Sequence, residues 1–425
     1  MGKNGESTTL LLAFYFILGL NFSLPAVGLQ FYLVESIKMT PPAMASLMAV
    51  ISIPWCFKPA VGLFSDTFTL FGLHRKPYIV IGLLVNGLSW WMLPYMGEDG
   101  LGLLLFTSSF GMCVADVACD CLLVVAARNE DEKNKGTVQS YAWGLRAAGG
   151  LAASLIGPVA YNTMGAQLTF ILTGCVPIVF STLIPLLNEE KNLHDDHRLE
   201  NPLKRLFEAF KNPIIWQPAL FIVCLNITPG YGTVLVYFFE KVFGFTPYNF
   251  ATLDFAGSVS AIVGTILYKR YLTRVPLRKL FFYTLAIAWV LRWLHLVLIT
   301  RIAPGIDMAF AIGESIALTL VGQAILLPTV VMVAKICPPG IEGVLFATMM
   351  SLSNISSVAS AEWGSVMAES MGITRTNFSA LMKLAVLCNI IGILPIFAVR
   401  LISKDLVDEE KTKEQNTEDE IDATL

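Results

Sequence analysis

The chain has 425 residues, of which 55% are hydrophobic and only 14% charged, and its formal net charge is −3; the mean hydropathy is +0.65. A soluble domain carries about a quarter charged residues, so this composition excludes an ordinary globular protein and points to a polytopic membrane protein. There is no basic stripe and no nucleic-acid motif, so nucleic-acid binding is excluded as a function class.

A helix that crosses the ~30 Å hydrocarbon core needs about 20 predominantly apolar residues. In chain order, such runs fall at about 9–34, 43–66, 77–97, 101–126, 137–161, 166–187, 213–238, 248–269, 278–300, 306–334, 342–368 and 378–402. They predict an all-α polytopic protein with 12 transmembrane helices. The opening MGKNGESTT carries neither an Arg/Ser-rich transit pattern nor a cleavage site. The polar stretch 188–212 separates an N-terminal six-helix bundle (1–187) from a C-terminal one (213–403). An acidic tail, 404–425, is expected to be disordered.

With the N-terminus inside, the outer loops carry only Lys38, Lys241, Arg301 and Arg375, against roughly five times as many Lys and Arg on the inner side. That asymmetry places both termini on the cytosolic side. The 8 cysteines fall mostly within apolar runs, as small buried hydrophobes do. No disulfide framework, metal site or cofactor is expected.

The two halves echo each other. Aligning AAR at 126–128 with VAK at 333–335 brings Gly136 onto Gly343, an offset of 207. Gly62, followed by the basic His74-Arg75-Lys76, parallels Gly264 followed by Arg278-Lys279. Two parallel six-helix pseudo-repeats are the major-facilitator arrangement, which sets a binding site between the halves near mid-membrane. Gly62-x-x-x-Asp66 with Arg75-Lys76 resembles that superfamily's gating motif, although extra residues separate Asp66 from Gly72. The resemblance implies a cytoplasmic gate; a plain helix end with positive-inside charges is the competing reading.

Ionisable residues inside a membrane are costly and point to function by default. The first half holds Lys58, Asp116, Asp120 and Arg146. Counted from the cytoplasmic ends of their helices, Lys58, Asp120 and Arg146 all lie ~13–15 Å deep, and Asp116 sits one turn, ~6 Å, further out. The offset of 207 maps Asp116 to Gln323, Asp120 to Leu327 and Arg146 to Ser353. The second half therefore folds the same hairpin without the charges, which favours substrate binding or proton coupling over scaffolding. A buried ion-pair lock is the alternative.

In the second half Asp254, Glu314 and Glu362 are candidates for the other side of the cavity. Arg292, His295 and Lys383 fall on the ninth and twelfth runs, where snorkelling or local pairing is expected. Pro25 and Pro229-Gly230 mark matched breaks in the first and seventh runs. Trp55 and Trp143 lie about a turn from Lys58 and Arg146; they suit stacking on a flat ligand, or a place in the core.

PWCFKPAVGLFSD (54–66), HRKPYIV (74–80), DVACD (116–120), QSYAWGLRAAGG (139–150), FGFTPYNF (243–250), LYKRYLTRVPLRK (267–279) and PPGIEGVLFATMMSLSN (338–354) together resemble the folate–biopterin transporter family of the major facilitator superfamily. The resemblance implies a monomeric secondary transporter in the lipid bilayer. It would move folate, biopterin or a related metabolite by alternating access, with proton symport as one means of coupling. Some relatives carry other metabolites such as S-adenosylmethionine, which keeps another small-metabolite substrate open. A non-transporting receptor on the same fold is the other alternative. Neither H-E-x-x-H nor G-x-S-x-G is present to support an intramembrane enzyme.

Overall fold

The computed structural model describes residues 3–96, 98–128, 137–187, 189, 202–273, 275–301, 305–336 and 342–402, which are helical with no β-strand among them. The tail 404–425 and most of 188–201 lie outside the described residues, as do the side chains of Asp66 and Trp143.

Among the described residues, 10 stretches are long and apolar enough to cross a membrane. We number the spans α1 Thr9–Ser36, α2 Pro41–Ser65, α3 Lys76–Tyr95 and α4 Gly100–Leu123. The next stretch, Gly144–Leu186, has 43 residues, about twice what a bilayer core accommodates. It is not one rod. Gly165 has φ 77° and ψ 175°, a conformation that glycine adopts without a Cβ clash.

The two arms run in opposite directions along α1. Gly149 and Gly157 of the first arm meet Phe16 and Leu24 in ascending order. In the second arm Phe180 packs on Phe14, and the Thr173 carbonyl accepts from Asn21 at 3.0 Å. The arms are therefore two spans, α5 (144–164) and α6 (166–186). Two shorter helices follow over the seventh apolar run, Pro213–Asn226 and Gly232–Phe243, with a non-helical break around Pro229 between them; we label the pair α7. The series closes with α8 Pro247–Leu272, α9 Leu277–Thr300, α10 Asp307–Val333, α11 Val344–Ser370 and α12 Leu381–Leu401. The 10 long stretches coincide with apolar runs in the sequence, Gly144–Leu186 covering two of them.

The chain forms two compact units. The first holds Met1–Arg198, Tyr231–Val259 and Ala361–Leu381; the second holds Leu199–Gly230, Ser260–Ser360 and Met382–Leu425. In the first unit, Leu11, Phe14, Tyr15 and Leu18 of α1 pack against Ile79 and Leu83 of α3 and Met112 and Cys119 of α4. Helix backbones come close where a glycine on one faces a carbonyl of the other. A Cβ on Gly19 would stand 1.9 Å from the Arg146 carbonyl oxygen, and one on Gly149 would stand 2.0 Å from that of Phe16. In the second unit, Phe221 and Ile222 of α7, Phe281 of α9, Met332 and Val333 of α10 and Leu345 of α11 form the core.

The duplication has a physical counterpart. Gly62 of α2 faces Val117 of α4, and Gly264 of α8 faces Gln323 of α10. The two glycines are those that precede the parallel basic loops, and Gln323 stands one place from the position that the offset of 207 gives Val117.

At the end of the first unit remote from the N-terminus, the adjoining parts of α7, α8 and α11 pack onto α1 and α2. Tyr237 is fully buried among Leu29, Leu33, Val34 and Met44, and its hydroxyl donates to the Met39 carbonyl at 2.7 Å. Arg375 donates to the Val34 carbonyl at 2.7 Å, capping the last turn of α1. Ser46 donates to Glu362 at 3.0 Å, and Ser365 donates to the Pro42 carbonyl at 2.9 Å. Edge-on ring pairs, Phe31 with Phe250 and Phe238 with Phe378, complete the seal.

Candidate functional site

The α-helical ladder of α2 is interrupted. Residues Ile53–Phe57 form a 3₁₀ segment bounded by Pro54 and Pro59, which have no N–H to donate. The Pro54 carbonyl instead accepts from the Cys113 thiol of α4 at 3.4 Å. This tighter turn joins α2 to α4 and carries Lys58 with it. On α4, Asp116 and Asp120 are four residues apart and share one helical face. Arg146 comes from α5, seated where its carbonyl touches Gly19.

These side chains meet. Lys58 Nζ lies 2.5 Å from Asp116 Oδ2 and 3.9 Å from Asp120 Oδ2. Arg146 Nη1 lies 3.7 Å from Asp116 Oδ1. The Tyr15 hydroxyl of α1 donates to Asp120 Oδ1 at 2.6 Å. Two cations and two carboxylates cancel in charge, as burial demands.

Exposure separates the two acids. The Asp116 side chain is 0% exposed, whereas that of Asp120 is 46% exposed. Asp116 is the internal bridge between Lys58 and Arg146. Asp120, hydrogen-bonded by Tyr15, is the more accessible of the two carboxylates.

Each cation also has an aromatic neighbour. Lys58 Nζ stands 4.8 Å from the Trp55 ring centroid, and the Arg146 guanidinium 5.4 Å from that of Phe22. The two rings lie 5.2 Å apart at 51°. Trp55 is fixed by its Nε1, which donates to Ser109 Oγ at 3.0 Å. Phe22 is 39% exposed.

Tyr15, Phe22 and Ser109 escape a reading of the sequence because each sits in an apolar run where a core role is the default. The signal that could have found the first two is spacing. Tyr15, Gly19 and Phe22 follow i, i+4, i+7 and share one stripe of α1, with the glycine marking where α5 approaches.

The other candidates are distributed differently. Arg75 donates to Ser65 Oγ at 2.7 Å, and Lys76 Nζ donates to the Pro185 carbonyl at 3.2 Å. The backbone N–H groups of His74, Arg75 and Lys76 all point at Glu189, at 2.8, 2.8 and 2.9 Å. Glu189 thus caps the start of α3 from beyond the end of α6; sequence reasoning missed it. Gly62 rests against Val117.

Of the three second-half acids, Asp254 is exposed, Glu362 binds Ser46 in the remote seal, and Glu314 pairs with His295 in the second unit. The structure does not gather them into one cluster. No group of three or more potential metal ligands occurs among the described residues.

Residues 18–421 match the BT1 family. The chain is 31% identical over 418 residues to the folate-biopterin transporter of Synechocystis, spanning 96% of this chain and 84% of that protein. It is 26% identical over 408 residues to probable folate-biopterin transporter 7 of Arabidopsis thaliana, spanning 92% and 91%. Its fold matches that of the nucleoside transporter NupG with a TM-score of 0.70 at 14% identity, over 95% of this chain and 99% of the other.

Proposed function

The chain belongs to the BT1 family, and from that premise we propose that it carries folates, pterins or a chemically related metabolite by alternating access. The observation that carries this reading is the pairing of two cations and an accessible carboxylate with two aromatic faces in one cluster. Lys58 and Arg146 attract ligand carboxylates, and Trp55 and Phe22 take the flat heterocycle. Asp120 accepts hydrogen bonds from the ring amino and N–H groups.

Ligand binding has to reorganise the ion pairs, because a ligand shifts an equilibrium only through differential contacts. The 3.9 Å Lys58–Asp120 pair is the looser of the two lysine contacts, so it yields first. Asp116 keeps both cations compensated meanwhile. The bodies that move are the six-helix halves 1–187 and 213–403, joined by 188–212. With both termini cytosolic, as the loop charges imply, the remote seal is the outer gate. The protein works as a monomer, and protons supply the coupling.

The test is uptake into proteoliposomes of labelled folic acid, 5-methyltetrahydrofolate, biopterin and S-adenosylmethionine. Saturable uptake of a folate or pterin is expected, with Asp120→Asn raising the half-saturation concentration about tenfold or more, since a hydrogen bond to a charged group is worth about 1.5–3 kcal/mol. Transport confined to S-adenosylmethionine would overturn the substrate class and leave the fold intact.

The gate has its own expected result. Arg375→Ala removes a charged cap from the end of α1. Amide exchange over residues 29–36, followed by hydrogen–deuterium exchange mass spectrometry, should quicken roughly 10- to 100-fold on the same energy scale. Unchanged protection would remove Arg375 from the gate.

A further inference from the structure

The second unit holds a buried ionisable pair that the substrate site does not use. We propose that Glu314 and His295 together bind the coupling proton of the transport cycle. This rests on the transport reading above and assigns its coupling ion to a place.

The geometry begins with a break in α9. Its helix stops at Arg292 and resumes at His295. Polar groups collect around that break. The Asn389 amide of α12 donates to the Arg292 carbonyl at 3.1 Å, and Trp289 Nε1 donates to the Asn389 carbonyl at 2.7 Å. Arg292 Nη2 reaches the Pro229 carbonyl, in the break of α7, at 3.5 Å. The breaks of α7 and α9 are thereby tied to each other and to α12. Of the two expectations for Arg292 and His295, snorkelling or local pairing, the structure shows local pairing: both turn into the unit.

Glu314 of α10 faces this break. Its side chain is 5% exposed and its Oε1 lies 3.5 Å from His295 Nδ1. That oxygen has no hydrogen-bond partner among the described residues. Buried polar atoms are normally satisfied, so an open carboxylate oxygen facing an imidazole marks a place for a shared proton.

A proton fits. Without one, the carboxylate and a neutral imidazole carry a net charge of −1 inside the helix bundle. With one proton the pair is neutral overall. A single N–H···O or O–H···N bond then spans the gap, and the open oxygen is satisfied. No bond other than to that proton forms or breaks.

The near cation is Arg292, three residues before His295 on α9, which acts on the imidazole and also reaches the Pro229 carbonyl. Arg278 and Lys279 start α9 more than four turns before His295, and Asp307 opens α10 about two turns before Glu314. On α8, Gly264 meets Gln323, already more than two turns along α10 from Glu314, and Lys269 and Arg270 lie beyond it. The α7 segment Pro213–Asn226 carries no charged residue. His295 is the ion-pair partner that the described residues give Glu314. Proton binding at this pair alters the α9 break directly. Through Arg292 it bears on the α7 break, where the chain passes from one unit to the other.

Proteoliposomes separate this inference from the transport reading. Wild-type protein should exchange labelled for unlabelled folic acid or biopterin without a gradient. It should also accumulate label about tenfold per unit of imposed pH difference if one proton moves per cycle. Glu314→Gln should keep exchange within about twofold of wild type and lose the pH-driven accumulation, while Glu314→Asp should retain part of it. His295→Gln serves as the second variant should Glu314→Gln not fold, and the same loss of accumulation is expected.

Wild-type exchange with no response to pH would overturn the proton site and leave transport standing. Full pH-driven accumulation in either Gln variant would overturn it as well. Absence of wild-type exchange for both compounds would defeat the transport reading, and this inference with it.

Discussion

Asp116→Ala is expected to abolish uptake and to lower thermal stability sharply, whereas Asp120→Asn should leave the fold intact. Asp116 is fully buried between Lys58 and Arg146. Removing it leaves two cations facing each other with only the exposed Asp120 nearby. Breaking a buried pair by deleting one partner costs about 3–5 kcal/mol, because a charge is stranded. That is a large part of a typical stability of about 5–15 kcal/mol.

The same principle supplies the control. Lys58→Met combined with Asp116→Leu removes both members of the closest pair. It should recover much of the lost stability while remaining inactive, because the ligand's cation is gone. Thermal melts in detergent beside uptake assays check both halves of the statement. An Asp116→Ala protein that transports normally would show that the bridge is dispensable.

Gly19→Val should be nearly as damaging, for a steric reason. A Cβ at this position would sit 1.9 Å from the Arg146 carbonyl oxygen, which is backbone and cannot swing aside. The helices α1 and α5 would have to part. Overpacking of this kind costs about 1–3 kcal/mol or more. The displacement would also separate Arg146 from Asp116 and move Tyr15 and Phe22, which share that stripe. Misplacing reacting or binding groups by ~1 Å can cost on the order of a hundredfold in rate. Gly144 is the matching control: it has nothing within 4 Å of an added Cβ, so Gly144→Ala should transport as wild type. Equal behaviour of the two variants would argue against close packing as the means of setting Arg146.

The spans and the Lys58 cluster are legible in the sequence because both are local or repetitive signals. Apolar runs report spans directly. Counting along helices of fixed rise brings Lys58, Asp120 and Arg146 to one level, but it sets Asp116 a turn away, whereas Asp116 is the carboxylate that both cations approach. Gly165 and Pro229 announce their breaks by residue type.

What is not legible depends on contacts between distant parts of the chain. Glu362 reads as a cavity acid, yet its partner Ser46 lies 316 residues away and places it in the seal. Glu189 sits in a charged linker where nothing sets it apart, until three backbone N–H groups of the α3 start converge on it. His295 and Glu314 occupy different helices, and neither alone says that the other is opposite. The distinction between Asp116 and Asp120 is likewise invisible in the sequence. They share a helical face, and only the packing of α1, α2 and α5 decides which is sealed in.

The reversal at Gly165 has a mechanical consequence. A turn made by one glycine gives α5 and α6 no slack, so the two arms hold α1 as a clamp holds a rod. Any tilt of α1 has to carry both arms with it. Arg375 grips the tip of that rod, at Val34, and Gly19 presses the Arg146 carbonyl farther down its shaft. Between those two grips the helix of α1 stops at Ser23 and resumes at Ala26, so a tug at the tip reaches Arg146 only through the joint at Pro25.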